Sequence, residues 1–148
     1  MFWNKSKDKD EVNVRRGYHG TGALWWEAPY VNGRRHGVEK IYFDSGALYW
    51  EVPYVNGKIH GMEKFYNVSG TPYFEAPCVN GKAHGISRLY YESGALQNEI
   101  PYVRGKIHGI VRIFEEDKSN ICRLTLYEKG HKVDSVKFRI KEIAHDPE

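Results

Sequence analysis

The stretch Tyr54–Gly61 reads YVNGKIHG. Close copies occur at Tyr30–Gly37 (YVNGRRHG), Cys78–Gly85 (CVNGKAHG) and Tyr102–Gly109 (YVRGKIHG), each 24 residues from the next. Such copies are either a row of chemical sites or the turns of a repeating scaffold. Asn-Gly favours the scaffold, because a type I′ turn needs φ > 0 at both central residues and this pair adopts it most readily. Asn32 and Gly33, Asn56 and Gly57, and Asn80 and Gly81 are therefore read as hairpin turns, and Gly105 as the fourth, with Arg104 in the Asn place.

Working outward, the same period of 24 governs other columns: Glu27, Glu51, Glu75 and Glu99; Pro29, Pro53, Pro77 and Pro101; Tyr42, Tyr66, Tyr90 and Phe114. Full copies cover 22–45, 46–69, 70–93 and 94–117. Residues 14–21 are the tail of an earlier copy, and Arg123–Lys132 is a worn later copy without His-Gly, as the capping of an array requires. In ALYWEVPYV (Ala47–Val55), Leu48, Trp50, Val52 and Tyr54 alternate with Ala47, Tyr49, Glu51 and Pro53, the period of a strand. Ser-Gly at 45–46, 69–70 and 93–94 supplies a second turn per unit. The expected fold is all-β: 24-residue hairpins joined into an elongated, twisted antiparallel meander. A proline in every second strand cannot donate to a ladder, so a bulge near the proline column or near His-Gly is expected. The expected organisation is a polar tail at 1–13, the array at 14–132, and a cap strand with tail at 133–148.

The unit YESGALxxExPYVNGKxHG resembles the MORN-variant repeat, and especially proteins of the YwqK-type antitoxin family, over about residues 14–132. The resemblance implies a β-hairpin array and a non-enzymatic role in binding a partner, which in the antitoxin cases is a toxin. Similar repeats also occur in large DNA viruses. This chain departs from the pattern at Arg104 (for Asn), Cys78 (for Tyr) and Asn98 (for Trp or Phe).

Composition narrows the function. The chain has 148 residues, 41% of them apolar, with 11 Tyr, 6 Phe and 4 Trp, which suits a thin sheet covered by wide rings. The formal net charge is only +3, and residues 118–143 carry seven Lys/Arg against three Asp/Glu, so the repeats are nearly neutral. That weighs against nucleic acid as the principal partner. Two cysteines, Cys78 and Cys122, form neither a disulfide framework nor a CxxC motif. With no signal peptide and no long apolar run, a cytoplasmic protein is expected.

The histidine column (His36, His60, His84, His108) invites a metal reading, but repeats of two strands place equivalent residues roughly 9.5 Å apart. Ligands of one zinc lie about 2.0–2.1 Å from it, so adjacent copies cannot share an ion. No metal, no cofactor and no catalytic residue is expected, since repeated columns offer like residues in a row rather than unlike residues converging on a pocket.

Three surfaces remain. Lys40, Lys64, Arg88 and Arg112 against the glutamate column read as a cross-strand ladder of charge pairs. Beside it, Tyr42, Tyr66 and Tyr90 interleave with the cations in a way that could cradle single-stranded nucleic acid. Trp26, Trp50 and Phe74, with Leu24, Leu48 and Leu96, form an apolar stripe read as core where covered and as partner-binding surface where exposed, and Tyr42, Tyr66 and Tyr90 join these rings as the six aromatic candidates for binding a protein partner. Lys132, Lys137, Arg139 and Lys141 form a basic strip, read as a guarded edge strand or as a site for anionic lipid or nucleic acid. Phe2 and Trp3 have no assigned role. The expectation is a protein-binding scaffold of antitoxin or immunity type. Its alternatives are a binder of anionic lipid or nucleic acid through the basic segment, with peripheral membrane contact, and a self-associating structural protein.

Overall fold

The computed structural model describes residues 11–116 and 121–137. Among them there is no helix, and every strand joins one open antiparallel sheet. Eleven strands form the path: β1 (Asn13–Tyr18), β2 (Leu24–Val31), β4 (Gly37–Tyr42), β5 (Leu48–Val55), β7 (Gly61–Tyr66), β8 (Pro72–Val79), β10 (Gly85–Tyr90), β11 (Leu96–Val103), β13 (Gly109–Phe114), β14 (Ile121–Glu128) and β15 (His131–Lys137). Four two-residue strands lie off it: β3 (Arg34–Arg35), β6 (Lys58–Ile59), β9 (Lys82–Ala83) and β12 (Lys106–Ile107), which fold back on β2, β5, β8 and β11. The expected hairpin meander is the observed fold, and β15 continues the sheet beyond the expected limit of the array at residue 132. Phe2, Trp3, Arg139 and Lys141 lie outside the described residues.

Both turns follow from backbone chemistry. At the first, Asn32, Asn56 and Asn80 have φ of 50°, 51° and 52°, and each is followed by a glycine at positive φ. Arg104 (52°) and Lys129 (50°) hold the same left-handed conformation before Gly105 and Gly130, so the worn copy keeps its turn. At the second, Gly46 N–H donates to Phe43 O (2.9 Å) and Phe43 N–H to Ala47 O (2.8 Å), with Gly46 at φ 83°. That is a three-residue hairpin loop, a type I turn closed by a left-handed glycine.

The proline and His-Gly columns explain each other. His36 N–H donates to Pro29 O (2.9 Å), and Gly37 turns the chain at φ 110°. A Cβ on Gly37 would lie 2.8 Å from Pro29 Cγ, and Gly61, Gly85 and Gly109 face Pro53, Pro77 and Pro101 in the same way. Here the chain passing from β3 into β4 carries four residues (36–39) opposite two of β2 (28–29), between the pairs Tyr30↔Arg35 and Glu27↔Lys40. The expected irregularity at His-Gly is thus a two-residue bulge. The chain carries its own control: Leu126 stands in the proline position of the last hairpin and His-Gly is missing, and there β15 pairs with β14 from Glu128↔His131 to Arg123↔Lys137, with a single shift at Leu126/Tyr127.

A second bulge was not foreseen. Ile41 pairs with Trp50 and Tyr42 with Leu48, which leaves Tyr49 as an extra residue; the step recurs between Gly17/Tyr18, Phe65/Tyr66, Leu89/Tyr90 and Ile113/Phe114. Tyr49 and Trp50 both reach the Phe65 ring (5.8 and 5.1 Å between centroids), so they share one face, and Leu48 moves to the other beside Tyr42. The strict alternation expected for Ala47–Val55 therefore holds from Trp50 onward and inverts before it, and the leucines leave the Trp/Phe stripe.

The core lies on the Trp50 face, in one principal row with Tyr54 and Cys78 buried beside it. Ala28, Val52 and Ala76 are 0–3% exposed, and Glu39, Ser87, Val111 and Thr125 are buried in the same row. In a single layer, burial comes from neighbouring side chains on the same face.

Candidate functional site

One face carries the charge ladder. Register places Arg16, Glu27, Lys40, Glu51, Lys64, Glu75, Arg88, Glu99 and Arg112 directly opposite one another, strand by strand, with alternating sign. Arg88 bridges Glu75 (3.5 Å) and Glu99 (3.3 Å), and Arg112 continues to Glu99 (3.7 Å). Tyr42, Tyr66 and Tyr90 donate their hydroxyls to Glu27, Glu51 and Glu75 at 3.1, 2.8 and 2.7 Å. Burial, then the bond to the carboxylate, pushes Tyr66 and Tyr90 up to about 12. Each exposed pair contributes about 0.2–1 kcal/mol. The alternation cancels the field that the cations would otherwise hold out to a phosphate chain, which removes the support for a nucleic-acid cradle at this row.

The opposite face carries the rings. Trp50 stacks on Phe65 (5.1 Å, 17°), and Phe65 meets Phe74 at 5.8 Å. Trp26, Trp50 and Phe74 are all half-buried. Trp26 covers Gly17 at the first edge, where the other repeats carry Ile41, Phe65, Leu89 and Ile113. The six aromatic candidates are therefore divided: Trp26, Trp50 and Phe74 on one face, Tyr42, Tyr66 and Tyr90 on the other. They form two rows, not one surface.

Beside the ring row, Arg35 Nε lies 3.4 Å from Glu39 Oε2, with its guanidinium 5.3 Å from the Tyr54 ring centroid. One repeat on, Ile59 replaces Arg35 and Cys78 replaces Tyr54. Burial pushes the Glu63 carboxyl up, and burial, then the charge of Glu63, pushes the Cys78 thiol up.

The third surface is the turn end of the ladder face, which the columns chosen from sequence missed. Val31 pairs with Arg34, Val55 with Lys58, Val79 with Lys82, and Val103 with Lys106. All four cations are exposed, as are His36, His60, His84 and His108. The spans 30–37, 54–61, 78–85 and 102–109 contain no Asp or Glu, and that absence was the legible signal. Each turn is tied to the last: Gly57 N–H donates to Arg35 O, Gly81 to Ile59 O, Gly105 to Ala83 O and Gly130 to Ile107 O, all at 2.8 Å. His108 Nδ1 accepts the Lys129 N–H at 3.4 Å. Inward of this edge, Val38, Met62 and Ile86 lie opposite Pro53, Pro77 and Pro101, and Ile110 opposite Leu126; the four are 38–45% exposed.

The repeat geometry meets a known pattern here. Residues 35–56 and 83–104 match the MORN repeat variant. Each matched stretch runs from a short strand through the following hairpin to the next turn, from Arg35 to Asn56 and from Ala83 to Arg104. The intervening MORN-like unit has the same strands, turns and bulges in the same places. No curated protein matches the chain.

Of the basic strip, Lys132 is exposed and Lys137 pairs with Arg123, while Arg139 and Lys141 lie outside the described residues. Among the described residues no group of three or more His, Cys, Asp or Glu is arranged to hold a metal, and no helix is long and apolar enough to cross a membrane.

Proposed function

We propose that the protein is a non-enzymatic repeat scaffold that binds a protein partner through its ladder face, in the manner of an antitoxin or immunity protein. The observation that carries this reading is the row Val38, Met62, Ile86 and Ile110, one large apolar side chain per repeat left 38–45% exposed. Exposed apolar residues that line up across a sheet are the usual mark of an interaction surface. The half-buried rings of the opposite face supply its stiffness. Partnership with a toxin rests on the resemblance of the repeats to antitoxin components.

The test is affinity capture from the native cell with three baits: the wild type, Met62→Glu/Ile86→Glu, and Trp50→Leu. Circular dichroism would establish that each bait is folded. A partner retained by the wild type and by Trp50→Leu, but lost with Met62→Glu/Ile86→Glu, supports the reading. A partner that tolerates both glutamates overturns it. Relief of growth arrest on co-expression with the captured protein establishes the antitoxin role, and its absence removes it.

A further inference from the structure

The turn edge and the aliphatic row beside it form two parallel bands whose chemistry selects a partner segment. The outer band presents Arg34, Lys58, Lys82 and Lys106, each opposite an exposed or half-exposed valine, in spans without a single acidic residue. The inner band is the prolines with Val38, Met62, Ile86 and Ile110. Two residues separate the bands along a strand, about 6.6 Å. The same feature of both bands recurs every two strands, roughly 9.5 Å.

That pitch matches one backbone conformation. A polyproline II chain rises about 3.1 Å per residue with three residues per turn, so every third side chain points the same way about 9.3 Å further on. We propose that this edge receives an extended acidic segment of the partner protein, with an apolar residue at every third position and carboxylates between. The apolar residues settle on the Pro/Val/Met/Ile band while the carboxylates face the cation row. This inference rests on the protein-binding reading and names the chemistry of the segment bound.

The surroundings of the edge exclude broader polyanions. The glutamate row starts four residues inward of the valines, about 13 Å away on the same face. A flat anionic bilayer or a nucleic-acid duplex laid on this face extends over the charge ladder, where those four carboxylates cancel the cations between them and add no attraction, whereas a narrow chain along the edge meets the unopposed cations alone. Single-stranded nucleic acid needs rings for its bases to stack on. The rings along this edge are the four small imidazoles alone, and the wider rings Tyr30, Tyr54 and Tyr102 lie on the opposite face.

The test uses fluorescence anisotropy with the full chain and synthetic probes. They are (Leu-Pro-Glu)5, its charge-reversed form (Leu-Pro-Lys)5, the out-of-pitch form (Leu-Pro-Glu-Pro)4, a dT20 oligonucleotide, and phosphatidylserine-containing vesicles followed by co-sedimentation. The expected result is that (Leu-Pro-Glu)5 binds at least tenfold more tightly than either altered peptide. Lys82→Glu/Lys106→Glu weakens it at least tenfold, and binding falls as salt rises. Equal binding of the in-pitch and out-of-pitch peptides overturns the geometric match. Insensitivity to Lys82→Glu/Lys106→Glu overturns the site, and tighter binding of dT20 or of the vesicles overturns the class of ligand. A captured partner that is lost with Met62→Glu/Ile86→Glu but retained with Lys82→Glu/Lys106→Glu would leave the scaffold reading standing and sink this one.

Discussion

Pro53 and Gly61 share one space: a Cβ on residue 61 would lie 2.9 Å from Pro53 Cγ and 3.2 Å from its Cβ. Gly61 also has φ of 124°, where an L side chain is strained. Gly61→Ala is expected to cost about 2–3 kcal/mol, from backbone strain of roughly 1–2 kcal/mol and the added contact. Pro53→Ala removes the closer carbon, so the double variant should lose less than the sum of the singles by at least about 0.5 kcal/mol. Urea denaturation of the four proteins measures this, and strict additivity would rule out the contact.

The fourth turn holds a residue ill suited to it. Arg104 has φ of 52° in a position that its counterparts fill with Asn. Arg104→Asn should stabilise the protein by a few tenths to about 1 kcal/mol, since Asn tolerates the left-handed region better. Thermal unfolding reads this as a rise in Tm of about 1–4 °C. An unchanged or lower Tm would show that Arg104 makes a compensating contact.

Glu63 predicts a pH dependence. Its carboxyl is raised by burial, so between the ordinary carboxylate range and the raised value the folded chain binds more protons than the unfolded one. Stability then falls as pH rises through that window and is regained below it. Glu63→Gln should be more stable than wild type at pH 7, on the order of 1 kcal/mol, the scale of a poorly compensated polar group. The gap should close as pH falls below the raised value. A gap constant with pH would place the effect elsewhere.

The tyrosines of the ladder predict a late titration. Tyr66 and Tyr90 are held at about 12 by burial and by bonds to Glu51 and Glu75. NMR of ring-labelled tyrosine should show two signals ionising last and assign them by Tyr66→Phe and Tyr90→Phe. Glu51→Gln should bring Tyr66 down without returning it to its ordinary value, because burial is the larger cause. Loss of the whole shift would mean that the carboxylate is the principal cause.

The legible parts of the molecule are those where chemistry forces a residue type. Left-handed backbone at 32–33, 56–57 and 80–81 favours Asn-Gly, so the hairpins could be read directly. Opposite charges at a constant offset announced the ladder, because each strand pair repeats its register. The bulge at Tyr49 left no mark, since Leu48, Tyr49 and Trp50 are all apolar or aromatic and any of the three could have been the extra residue. The Pro29–Gly37 contact was hidden because eight positions separate its members, and only the bulge at 36–39 brings them together. The cation edge was written as a missing residue class rather than a present one.

The Gly57 N–H to Arg35 O bond and its three successors run from turn to turn through backbone atoms alone. Substitution of the side chains on that edge therefore leaves the interval between stations untouched. A gene that gains or loses one 24-residue unit changes the number of stations and nothing else. Under the proposed mode of binding the array would work as a ruler: its repeat count would fix the length of chain it can measure, while the residues at each mark would decide what is measured.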